Sequence, residues 1–130
     1  MATCNTSSLS VDLDISQQVN VTCRKGDSFD LQFTVKNSSG ALIDLTSYTF
    51  NMQVRTSDNA SSPTIQTTGD VATGFKITGT ASGVVTVESS ASFMQNISAA
   101  TYVYDLVATV STTVQTWFFG TFVVNQDITQ

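Results

Sequence analysis

Apolar and polar residues alternate with a period of two along almost the whole chain, and few folds accept that pattern. Successive residues of a strand point to opposite faces, so such alternation marks strands with one face buried. "VDLDI" sets Val11, Leu13 and Ile15 against Asp12 and Asp14, and "VNVTC" repeats the pattern with Val19, Val21 and Cys23. "SFDLQFTVK" turns Phe29, Leu31, Phe33 and Val35 inward and Asp30, Gln32 and Thr34 outward. "YTFNMQVR" does the same with Tyr48, Phe50, Met52 and Val54, leaving Thr49, Asn51, Gln53 and Arg55 on the other face. In "TYVYDLVATV" Tyr102, Tyr104, Leu106, Ala108 and Val110 share one face; Val103 and Val107 lie on the other, with Asp105 between them. Helical spacing is confined to "SSASFMQNIS", where Ser89 or Ser90 can cap a turn and Phe93 and Ile97 stand four residues apart.

Turn residues separate these runs. Gly26 in "RKGD" can take positive φ, "NSSG" closes the next strand, and the polar loop "TSDNASSPT" holds the one proline. "LIDLTS" reads as a corner feeding the strand that begins at Tyr48. The pattern predicts about eight short strands and one short helical turn, an all-β antiparallel immunoglobulin-like sandwich. A chain of 130 residues suits one domain with a real core. That domain is expected over residues 11–130, and the polar, Ser/Thr-rich residues 1–10 are expected to be a flexible arm. The last strand, "TTVQTWFFGTFVV", is apolar on both faces. Strands covered on both sides read this way, as do strands with one face in the core and the other against a second subunit.

Charged residues make up 12% of the chain, about half the usual share. The net charge is −5, and only Arg24 and Lys25 are adjacent cations, which argues against nucleic acid as a partner. No apolar run is long enough for a membrane span, and no basic region leads into an apolar stretch at the N-terminus. Synthesis or assembly in a cytosol is therefore expected, with no membrane partner. Cys4 and Cys23 fit no zinc spacing; they are read as reduced thiols, with a bridge between them left open.

The search for chemistry finds little. Histidine is absent, which removes the commonest general base and metal ligand. No G-x-S-x-G elbow and no phosphate-cradling loop occurs. Asp12 and Asp14, with Asp27 or Asp30, could hold calcium, or they could be a solvated face that discourages edge pairing. Asp105, inside an apolar strand, is either a perturbed functional carboxylate or a buried acid neutralised by a donor such as Arg55. Trp117, Phe118 and Phe119 cannot form one flat sugar platform if they alternate between faces, so they are read as core plus subunit interface. The chain is thus expected to be no enzyme, with no catalytic residue, metal or cofactor. The candidates for structural or interface roles are Asp44, Thr46, Tyr48, Arg55, Asp105, Trp117, Phe118, Phe119 and Phe122.

The order of motifs is more specific than any one of them. Gly26, Asp27, Phe29 and Leu31 come first. Asp44, Leu45, Thr46 and Tyr48 follow, with Arg55 closing that strand. Tyr102, Tyr104, Asp105 and Leu106 come next, then Gly120 and Val123 near the end. From about Val19 to Val124 this resembles a family of small immunoglobulin-like β-sandwich proteins and domains of tailed bacteriophage virions. Members occur among tail, baseplate, fibre-associated and head-decoration proteins. Ala100 stands where such proteins often have a glycine. The resemblance implies a non-enzymatic virion structural protein, assembled in multiple copies with itself and with other virion proteins. The alternative is a carbohydrate- or receptor-binding module of a phage fibre or bacterial surface.

Overall fold

The computed structural model describes the backbone of residues 2–3 and 5–12, and backbone and side chains of residues 17–37, 39–57 and 61–126. Among these residues there are eleven strands and one helix. They are β1 (Ala2–Thr3), β2 (Asn5–Asp12), β3 (Gln17–Gln18), β4 (Val21–Arg24), β5 (Phe29–Lys36), β6 (Thr49–Arg55), β7 (Ile65–Gln66), β8 (Lys76–Gly79), β9 (Val84–Ser89), α1 (Ala91–Met94), β10 (Ala100–Val110) and β11 (Thr113–Asn125). The larger sheet runs β1-β4-β11-β10-β6-β7, with β3 also paired to β11; the smaller runs β2-β5-β9-β8. The two pack as an all-β sandwich. Setting β5, β9 and β8 in one sheet and β6, β10 and β11 in the other is the strand partition of an immunoglobulin-like fold.

The pairing departs from the expected antiparallel sandwich at the N-terminus. β1 and β11 both pair parallel to β4, β3 pairs parallel to β11, and β2 pairs parallel to β5. Residues 1–10 were expected to form a flexible arm, yet β1 and most of β2 fall within them, at the edges of the two sheets. Ser/Thr-rich composition conceals this, because an edge strand needs no apolar face to complete a ladder.

The core forms from the inner faces as alternation requires. β5 buries Phe29, Leu31, Phe33 and Val35, and β10 buries Tyr102, Tyr104, Leu106 and Ala108. Phe29 lies between Phe75 and Phe122, with ring centroids 5.2 and 5.6 Å away, and Phe33 meets Phe118 edge-on at 4.6 Å. Each such ring contributes roughly 1.5–3 kcal/mol through burial. Ser90 caps α1 by accepting from Phe93 N at 3.1 Å. Ser89, the other capping candidate, is buried instead and donates to the Gly74 carbonyl at 2.8 Å. Tyr102, near the start of β10, donates its hydroxyl to the Ser98 carbonyl at 2.6 Å. This is the tyrosine corner of immunoglobulin-like sandwiches, and it pins the chain where it enters the strand.

β11 contains a bulge. Leu106 pairs with Phe118 and Val107 with Thr116, so Trp117 is the extra residue. Trp117 and Phe118 are consequently both buried, although they are adjacent in sequence. Strict alternation would have sent one of them outward.

Candidate functional site

The outer face of the larger sheet carries the most suggestive surface. Its side chains fall in cross-strand rows. Gln53 on β6 faces Asp105 on β10, Asp105 faces Phe119 on β11, and Phe119 faces Gln18 on β3. The next row is Arg55, Val103 and Thr121. These seven residues, with Gly120 and Tyr104, line a depression of about 480 Å³. Arg55 is held by a bond from Nη2 to Gln53 Oε1 at 2.6 Å. Phe119 is 42% exposed.

The depression lies where β11 exchanges one neighbour for another. β3 ends beside Phe119 and β4 begins beside Phe122. The Val19–Asn20 link crosses between them against Gly120. Val19 N donates to Phe119 O at 2.9 Å, Thr121 N donates to Asn20 Oδ1 at 3.1 Å, and Tyr104 Oη donates to Val19 O at 2.6 Å. Gly120 has φ +153, and a Cβ there would lie 2.6 Å from Val19 O. Only glycine allows this crossing.

The sequence candidates divide between this face and the scaffold. Arg55, Asp105 and Phe119 converge on the depression. Trp117, Phe118 and Phe122 are buried core. Tyr48 is half-buried with its ring 5.6 Å from Trp117. Asp44 and Thr46 build the corner before β6. Asp44 Oδ1 accepts from Thr46 N at 3.0 Å and from Thr46 Oγ1 at 2.7 Å. The backbone bond first, and the hydroxyl second, hold this exposed carboxyl below its ordinary range. Gln18 and Thr121 were not singled out in the sequence, and Gly120 only as a motif position of the resemblance. Their signal was the glycine after Phe119, where the strand had to admit a crossing chain.

Asp105 corrects the sequence reading. It is exposed on the outer face, one row from Arg55 on the neighbouring strand, so there is no buried acid for Arg55 to neutralise. The proposed calcium ligand Asp14 lies outside the described residues, as does Cys4 of the possible bridge; Cys23 is buried with Sγ 3.6 Å from the Val123 carbonyl. Among the described residues, no three metal-ligating side chains cluster.

No family model and no curated protein matches the chain. Among solved structures, a family 123 glycoside hydrolase from Clostridium perfringens, described for glycolipid glycan hydrolysis, aligns with 87% of this chain at 13% identity and TM-score 0.37. The aligned region spans 23% of that enzyme's chain. The expectation that the chain is no enzyme is withdrawn on this finding, since a matched structure belongs to an enzyme. A likeness of this size carries no argument for an activity here.

Proposed function

We propose that the chain is a structural part of a tailed bacteriophage particle, a head-decoration or tail-baseplate component present in multiple copies. Its partners are its own copies and other virion proteins, and its location is the virion. The observation that supports this most directly is the end of the sandwich where the β10–β11 hairpin turns. Leu42, bridged to Lys36 at the end of β5, is 54% exposed, and Val114 is 65% exposed. Tyr48 and Phe50 lie half-buried at the same end, over Trp117. Apolar side chains left at one end of a monomer mark a contact surface. The sparse charge of the chain fits a permanently assembled part, and copy number multiplies contacts that are weak singly.

Sedimentation velocity on the purified chain, beside co-purification with phage particles, tests the reading. A concentration-dependent oligomer is expected, dispersed by Leu42→Ser combined with Val114→Ser while the melting temperature stays near wild type. A wild-type chain that remains monomeric at the highest attainable concentration and associates with no particle overturns it.

A further inference from the structure

The depression on the larger sheet matches a ligand chemistry that the assembly reading does not require. We infer that it is a binding subsite for a neutral glycan, taking one or two pyranose rings with Phe119 as the stacking surface. Phe119 supplies an exposed aromatic face, and Val103 continues the apolar floor across to the next strand. A pyranose presents an apolar C–H face to such a ring and hydroxyls around its edge. Around Phe119 stand Asp105, Gln53, Gln18, Thr121 and Arg55. The carboxylate only accepts hydrogen bonds, the guanidinium only donates, and the amides and the hydroxyl do both. That mixture suits vicinal hydroxyls, each of which must donate and accept.

Charge and size narrow the ligand further. The lining holds one cation and one anion, so it favours neither a phosphate nor a polybasic segment. A volume of about 480 Å³ falls within the roughly 300–1,000 Å³ of small-ligand sites. Neighbouring strands lie about 4.8 Å apart and neighbouring rows about 7 Å apart. Asp105 is thus one strand from Phe119, and Arg55 lies one strand and one row further, near the far edge of a ring stacked on Phe119. Arg55 is already restrained by Gln53, which lowers the entropy lost when it binds. Val114 lies two rows away, roughly 13 Å along the strands. Val114 therefore shares the outer face with the depression but lies outside its lining, and Leu42 lies outside that lining too.

Chemical-shift mapping on the isotope-labelled full chain tests this, with maltose, lactose, cellobiose, chitobiose and mannobiose as probes to about 20 mM, beyond the ~1 mM expected of weak specific binding. At least one sugar should give saturable shifts at Gln53, Arg55, Asp105, Phe119 and Thr121. Phe119→Ala and Asp105→Asn should each weaken that sugar about tenfold at an unchanged melting temperature, and Phe119→Tyr should retain it. Leu42→Ser with Val114→Ser should leave sugar binding intact, which separates this result from the assembly test. The inference is overturned if no probe gives saturable shifts on these rows, or if Phe119→Ala binds like wild type. It is also overturned if the same rows shift on dilution without sugar, since the face would then be a contact between copies.

Discussion

Tyr104 shows what a single side chain does here beyond filling the core. Its ring is buried beside Phe122, while its hydroxyl reaches the Val19 carbonyl, 85 residues away in sequence. Burial pushes this hydroxyl well above the ordinary tyrosine range. The fold therefore holds the protonated phenol more tightly than the unfolded chain does. The stabilisation is complete below about pH 10, the unfolded value, and is lost as pH climbs above it. Tyr104→Phe should cost about 1–3 kcal/mol, because the Val19 carbonyl loses its buried donor. It should also flatten the alkaline limb of a plot of melting temperature against pH. An alkaline limb identical to wild type would remove Tyr104 as its source. Alternation was enough to place Tyr104 inward, but nothing local to it names Val19 as its partner. Asp105 was misjudged for a related reason. Its apolar neighbours Tyr104 and Leu106 point the other way, so they say nothing about what surrounds Asp105.

At the scale of the element, β11 departs furthest from its sequence pattern. The run Trp117-Phe118-Phe119 alternates on paper, yet the bulge sends the first two inward and the third outward. A bulge is set by the partner strand: β10 offers one residue fewer than β11 between the pairs Leu106–Phe118 and Val107–Thr116. No residue of β11 announces it. The consequence is a buried indole whose Nε1 has no hydrogen-bond partner among the described residues. An unpaired buried donor costs roughly 1–3 kcal/mol, which offsets part of the stability gained from burying the ring. Trp117→Ala should destabilise by about 3–5 kcal/mol in urea unfolding, because it opens a cavity beneath Tyr48 and Phe50. Trp117→Phe removes the orphan donor and keeps most of the ring, so it should stay within about 1 kcal/mol of wild type. A phenylalanine variant as unstable as the alanine one would mean that the indole nitrogen has a partner in solution.

The whole molecule depends on its N-terminal segment in a way that composition hides. The all-β sandwich and most core positions are legible in the sequence, because β5, β6 and β10 each bury one face and so alternate, whereas the division of strands between the sheets is not. β2 is mostly polar, with Leu9 and Val11 its two apolar residues, and backbone pairing assigns it to the smaller sheet. Its partner β5 is eight residues long and strictly alternating. β2 pairs with it from Asn5 opposite Asp30 to Asp12 opposite Lys36. Without β2, that ladder edge of β5 would become a long unpaired edge, the feature that invites strand addition between molecules. β1 covers β4 in the larger sheet, over a shorter stretch. Removing residues 1–12 should therefore do two things together. The melting temperature should fall by several degrees, since a loss of 1 kcal/mol moves a domain of this size by about 3–6 °C. The truncated chain should also form large species by sedimentation at concentrations where the full chain does not. A flexible arm would give neither effect. A truncated chain that melts and sediments like the full one would return these residues to that role and leave the smaller sheet with three strands.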